Sequence, residues 1–145
     1  MKIIAINGAK NTKKDVIALR LSNNSAVEYV RPYSSKKTAH FNWVEKDILK
    51  DMIDKEDVLC KTIIRGEIYV FFKFQFTEDY SVVIVDDYAL VDLMSNWDDE
   101  IVTIRLKSKN AESSERFGSY LYDHEFDIVF NVDTDDYYDL EAMIE

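Results

Sequence analysis

Lys2-Ile-Ile-Ala-Ile-Asn7 is an apolar run with little alternation, the pattern of a strand covered on both faces. Gly8 ends it. Asp15–Leu21 then carries apolar residues at helical spacing and stops before the polar stretch 22–25, so residues 2–21 read as strand, loop, helix. A second strand is expected over Ala26–Arg31, followed by a polar loop from Pro32 to His40. Val44, Ile48 and Met52, with Leu49 and Ile53, recur at four-residue intervals and predict a helix near 45–54 with one apolar face. Val58–Ile64 and Ile68–Phe76, parted by Arg65-Gly-Glu67, read as a β-hairpin.

Ser81–Val85 is another continuous apolar strand, ending in Asp86-Asp87, and Leu90–Trp97 shows helical spacing. Ile101–Leu106 and Phe126–Val132 predict two further strands, and 135–144 a closing helix. Strands that alternate with helices imply parallel pairing through crossovers, so the expected class is α/β with an antiparallel insertion at 58–76. Both faces of Ile68–Phe76 are apolar: Tyr69 and Phe71 share one parity, and Phe72, Phe74 and Phe76 the other. Core packing accounts for that, or a partner surface.

Charge changes the picture because it is unevenly placed. The 145 residues carry a net −10, yet residues 1–40 hold eight Lys/Arg against two acids, and residues 41–145 hold ten against twenty-six. An acidic chain argues against duplex nucleic-acid binding, while its basic opening suits a small polyanion. The length fits a single domain with its own core, and three Gly with one Pro exclude a disordered or linker-rich chain. The single cysteine, Cys60, makes no internal disulfide and reads as a small buried hydrophobe in a reducing compartment. No apolar run reaches membrane-spanning length, the start does not read as a signal peptide, and the expected location is cytoplasmic. His40 and His124 show no metal-ligand spacing, so no zinc site is expected.

The chemistry centres on the turn after the first strand. There, backbone N–H groups and a helix N-terminus are placed to receive a phosphate. Set against the phosphate-loop pattern G-x-x-x-x-G-K-[ST], the residues are Gly8-Ala9-Lys10-Asn11-Thr12-Lys13-Lys14-Asp15. The first Gly and the Lys, Lys14, are present; Lys13 stands for the second Gly and Asp15 for the hydroxyl that ligates Mg²⁺. Lys10, Lys13 and Lys14 make the turn strongly cationic. An ordinary strand-to-helix turn, with Asp15 favouring the helix N-terminus, explains the same residues and is favoured on this motif alone.

The stretch from Phe41 to Tyr69, Phe41-Asn-Trp-Val-Glu-Lys-Asp-Ile-Leu-Lys-Asp-Met-Ile through Ile64-Arg-Gly-Glu-Ile-Tyr69, resembles without a gap the nucleotide-monophosphate-binding lobe of guanylate kinases. Phe126-Asp-Ile-Val-Phe-Asn131 and the acidic helix after it look like that family's terminal segment, and Ser81–Asp87 falls at its Walker-B-like strand. The resemblance runs in the correct order over nearly the whole chain. It implies one guanylate-kinase-like domain over 1–145: a P-loop-kinase-like parallel sheet flanked by helices, with a small β-rich acceptor lobe at about 32–76.

Carried over by position, it implies Lys14 on the phosphates, Asp87 near Mg²⁺ with Asp86 competing for that role, and Arg116 as a lid residue beside Lys107 and Lys109. Arg31, Lys36 or Lys37, and Tyr69 would hold the acceptor phosphate. Phe41 stands where the family has a second tyrosine and lacks its hydroxyl; Cys60 and Phe71 replace the glutamate and serine that read guanine. The lid is about two dozen residues short. The expectation is therefore a degenerate nucleoside-monophosphate kinase that keeps a pocket for a mononucleotide or other small phosphorylated ligand, with weak or no phosphoryl transfer. An active kinase would use ATP and Mg²⁺ for transfer to a (deoxy)nucleotide. A non-catalytic module for a protein partner is a second alternative, and a third is an inhibitor that presents the acidic 123–145 stretch to a basic surface.

Overall fold

The computed structural model describes residues 1–24, 26–112 and 121–144. Five parallel strands form the main sheet: β1 (Lys2–Gly8), β2 (Val27–Tyr29), β7 (Tyr80–Ile84), β8 (Glu100–Lys107) and β9 (Ile128–Asn131). Their order is β2-β7-β1-β8-β9. Both neighbours of β1 run parallel to it, and Ile4 lies level with Val82 on one side and Val102 on the other. The central strand is thus covered by strands at both edges and by helices on both faces, which is why its sequence does not alternate.

The two faces of β1 feed two cores. Ile4 and Ile6 point to one side, packing with Ile17, Ala18 and Leu21 of α1 (Lys14–Ser22) and with Leu140 and Ile144 of α4 (Tyr137–Ile144). Ile3 and Ala5 point to the other, against Ala89, Leu90 and Leu93 of α3 (Asp87–Asn96). α3 begins three residues before its apolar spacing does. Asp86 makes that start possible by accepting the Ala89 N–H at 2.8 Å, an N-cap outside the periodic pattern.

A second sheet, ordered β4-β3-β6-β5, forms the lobe. β5 (Val58–Ile64) and β6 (Glu67–Phe72) are the expected hairpin, turning at Arg65 and Gly66, both at positive φ. β3 (Tyr33–Ser34) and β4 (Asn42–Trp43) lie within and just beyond the stretch read as loop; each is two residues long, too short to show a period. The lobe's own core is Leu49 of α2 (Lys46–Lys55) with Ile68, Val70 and Phe72. Ile48, expected on the apolar face of α2, is exposed instead.

The strand expected to run to Phe76 stops at Phe72, because residues 73–75 form a 3-10 turn. Gln75 closes that turn by accepting the Phe72 N–H at 2.9 Å. The turn shifts the alternation: Phe72 enters the lobe core, Phe74 is exposed, and Phe76 joins Phe71 in the core beneath α3. The aromatic hairpin is therefore shared between two cores.

Candidate functional site

The turn after β1 is tightly closed. Gly8 sits where a Cβ would lie 2.5 Å from Thr12 Oγ1 and 3.0 Å from the Leu106 carbonyl, so no side chain fits without displacing the loop. Thr12 is fully buried and donates its hydroxyl to Ala9 O at 2.7 Å, closing the loop on itself. Two residues take the left-handed conformation, Asn11 at φ 68° and Lys13 at φ 61°. Asparagine tolerates that region; a lysine there is strained. Lys13 is also the N-cap of α1, and no side chain caps that helix. Lys14 curls back over the loop, its ammonium donating to Gly8 O at 3.0 Å and Ala9 O at 2.9 Å. Lys10 is exposed, and its backbone pairs in both directions with Glu112, at 2.7 and 2.9 Å.

Asp15 has partners within the chain. Tyr29 donates to its Oδ1 at 2.8 Å, and Arg31 Nη2 lies 3.7 Å from the same oxygen. Burial, reinforced by the hydrogen bond to Asp15, pushes the Tyr29 phenol well above its ordinary range. The Arg31 guanidinium also stacks 4.4 Å over the Tyr29 ring and donates to His40 O at 3.2 Å. Between the loop and this cluster lies an open cleft of about 350 Å³, lined by Lys13, Lys14, Asp15, Arg31, His40 and Phe41 among others. That volume is at the lower end of small-ligand sites. Lys36 and Lys37 are exposed and do not line it; Lys37 lies 5.0 Å over the Trp43 ring.

The positions aligned with base reading are closed. Cys60 and Phe71 are 2% and 4% exposed and pack with Leu59, Phe76 and Leu90. The space remaining among Cys60, Thr62, Tyr69, Phe71, Asp86 and Ala89 is about 10 Å³, room for one water at most. Phe41 meets Tyr69 edge to face at 5.3 Å, roofing this interior on the cleft side. Desolvation first, and then the charges of Asp86 and Asp92, push the Cys60 thiol up to about 12. It is an inert thiol, not a nucleophile.

The paired acids after β7 are interior. Asp86, 1% exposed, caps α3 and accepts from Thr62 Oγ1 at 3.1 Å. Asp87 is fully buried: Oδ1 accepts from Asn7 Nδ2 at 2.8 Å, and Oδ2 from the Leu121 N–H at 2.9 Å with Arg105 Nη2 3.7 Å away. Arg105 stands beside Asn7 in the β1–β8 register. Its guanidinium reaches Leu121 O at 3.1 Å and lies 4.3 Å over the Phe126 ring. Nearby, Lys107 pairs with Asp123 at 3.0 Å, and the Lys109 N–H donates to Asp133 at 2.8 Å. Arg116 lies outside the described residues.

The structure thus brings Lys13, Lys14, Asp15, Arg31 and Phe41 around one cleft, gathers Cys60, Tyr69, Phe71 and Asp86 in a separate closed interior, and places Asp87 in a third cluster. Sequence reasoning missed Tyr29, Thr62, Asn7 and Arg105. A signal existed for the last: an arginine inside the apolar run Ile101–Leu106 must be paired wherever that run is buried.

No protein-family model matches the chain, and no curated protein matches it in sequence. Among solved structures, guanylate kinase from Anaplasma phagocytophilum is similar, with a TM-score of 0.65 at 9% identity; the match covers 98% of this chain and 81% of that one. The chain has a guanylate-kinase-like fold, a five-stranded parallel sheet flanked by helices. No helix of the described residues is long and apolar enough to cross a membrane.

Proposed function

We propose that this chain is a single guanylate-kinase-like domain that binds a small phosphorylated ligand, a mononucleotide in the first instance, without efficient phosphoryl transfer. One observation carries the reading. The loop from Gly8 to Asp15 holds Asn11 and Lys13 in the left-handed conformation, strained at Lys13, and Lys13, Lys14 and Arg31 line the same cleft of about 350 Å³. Strain held at a loop whose cations converge on a cleft points to a ligand.

Transfer requires in addition a positioned acceptor and neutralised charge at the moving phosphoryl group. The acceptor-base position is filled by Cys60 and Phe71, Phe41 has no hydroxyl, and both Asp86 and Asp87 are buried in structural hydrogen bonds. A ligand held in the open cleft alone, with its base outside the lobe interior, needs none of these. We place the protein in the cytoplasm, in keeping with its one reduced, buried thiol.

A thermal-shift panel of (d)NMPs, ADP, ATP and pyrophosphate tests the reading. Stabilisation by at least one of these ligands, lost in Lys14→Met, is the expected result. No shift with any of them at millimolar concentration overturns it in favour of a module for a protein partner.

A further inference from the structure

The oxygens that a P-loop kinase fold would offer to Mg²⁺ do not suit that ion here. Mg²⁺ demands near-octahedral oxygen ligation and keeps several of its waters, so it needs protein oxygens that are open to the cleft. Asp15 Oδ1 already carries the Tyr29 hydroxyl and faces the Arg31 guanidinium. Asp86 and Asp87 are 1% and 0% exposed; Asp86 is bonded to Thr62 and Ala89, and Asp87 to Asn7 and Leu121 with Arg105 beside it. Among the described residues, the buried side-chain atoms that lack a hydrogen-bond partner are Asn7 Oδ1, a neutral oxygen, and Arg105 Nε, a cationic donor. They belong to register neighbours on β1 and β8, so this buried oxygen stands beside a fixed positive charge. Among the described residues no group of three His, Cys, Asp or Glu could hold a metal.

What the chain supplies instead is cations of its own. Arg105 Nη2 sits 3.7 Å from Asp87 Oδ2, a fixed positive charge beside that carboxylate. Lys13, Lys14 and Arg31 face the cleft, where Asp15 is the acid among the lining residues. Arg31 and Asp15 both line the cleft, 3.7 Å apart, and a doubly charged phosphate competes for Arg31 with that single carboxylate.

We infer that the cleft binds its phosphorylated ligand in the metal-free form, with Lys14 and Arg31 doing the charge neutralisation that Mg²⁺ does in phosphoryl-transfer sites. This rests on the phosphate-binding reading above and specifies the ionic form of the ligand that the site selects. A Mg²⁺ complex presents less negative charge to these cations and arrives with a hydrated ion for which the cleft offers one carboxylate, Asp15, already bonded to Tyr29 and paired with Arg31.

Calorimetric titration of inorganic pyrophosphate into the full chain, in EDTA and then in excess MgCl₂, tests the inference. Binding in EDTA that is as tight as or tighter than binding in Mg²⁺ is expected. Affinity that rises about tenfold or more on adding Mg²⁺ overturns the inference and leaves the phosphate-binding reading standing. Absence of binding in both media, for pyrophosphate and for every nucleotide of the thermal-shift panel, overturns that reading itself. Arg31→Met is expected to weaken binding in EDTA about tenfold with no recovery in Mg²⁺; unchanged affinity counts against the inference. As an independent readout, Mn²⁺ added to the isotopically labelled protein with pyrophosphate bound should leave the amide signals of Asp15, Asp86 and Asp87 sharp. Their selective broadening overturns it.

Discussion

Placing glycine at position 13 should stabilise the protein. Lys13 stands at φ 61°, ψ 35°, and a left-handed backbone costs an L-residue roughly 1–2 kcal/mol. Lys13→Gly removes that strain but gives the unfolded chain more freedom, which offsets roughly 0.5–1 kcal/mol of it. The net expectation is a gain of about 0–1.5 kcal/mol, or up to roughly 5 °C in melting temperature for a chain of this size. Asn11, at φ 68°, is the internal comparison. Asparagine tolerates this region, so Asn11→Gly should gain nothing or lose slightly. Lys13→Ala removes the charge and keeps the strained backbone, and should also gain nothing. Thermal melts and urea midpoints, compared at equal m-values, decide the matter. A lower melting temperature for Lys13→Gly, or an equal gain in Asn11→Gly, would refute the claim that strain is stored at Lys13.

Other consequences concern the interior. Gly8→Ala puts a methyl group 2.5 Å from Thr12 Oγ1 and 3.0 Å from a backbone carbonyl; urea unfolding should show a loss of about 1–3 kcal/mol. Asp87→Ala leaves Arg105 without its buried carboxylate and should lose about 3–5 kcal/mol, whereas the double variant with Arg105→Met should recover much of that; a double-mutant cycle measures the coupling. Cys60 should resist alkylation at pH 8 until the protein unfolds. Its folded pKa is raised from the ordinary 9 to about 12, so the folded state holds the proton more tightly, and its contribution, complete below pH 9, is lost as pH rises towards 12. Cys60→Ala should therefore lose stability less steeply than the parent over that window.

Much of the fold was legible because buried parallel strands and amphipathic helices leave long signals. β1, α1, the hairpin, β7, β8 and α4 all appear where apolar spacing put them, within a few residues. What escaped notice depends on single contacts. β3 and β4 have two residues each and exist through pairing with β6 and with one another. The end of β6 is set by Gln75 bonding back to Phe72, a side-chain choice with no periodic trace. At the site, the turn after β1 was readable from its position and its lysines. The partners of Asp15 and Asp87 were not, since Tyr29 is fourteen residues from Asp15 and Arg105 eighteen from Asp87, and only the sheet order brings each pair together.

The central claim, phosphate held but not passed on, is most directly tested by following ATP and each (d)NMP with the protein and Mg²⁺, and again in EDTA, by ³¹P NMR over time. The account predicts ligand phosphate resonances that shift or broaden with protein present, an effect lost in Lys14→Met, while ADP and (d)NDP signals fail to grow. Steady growth of those signals, abolished by Lys14→Met, would contradict it.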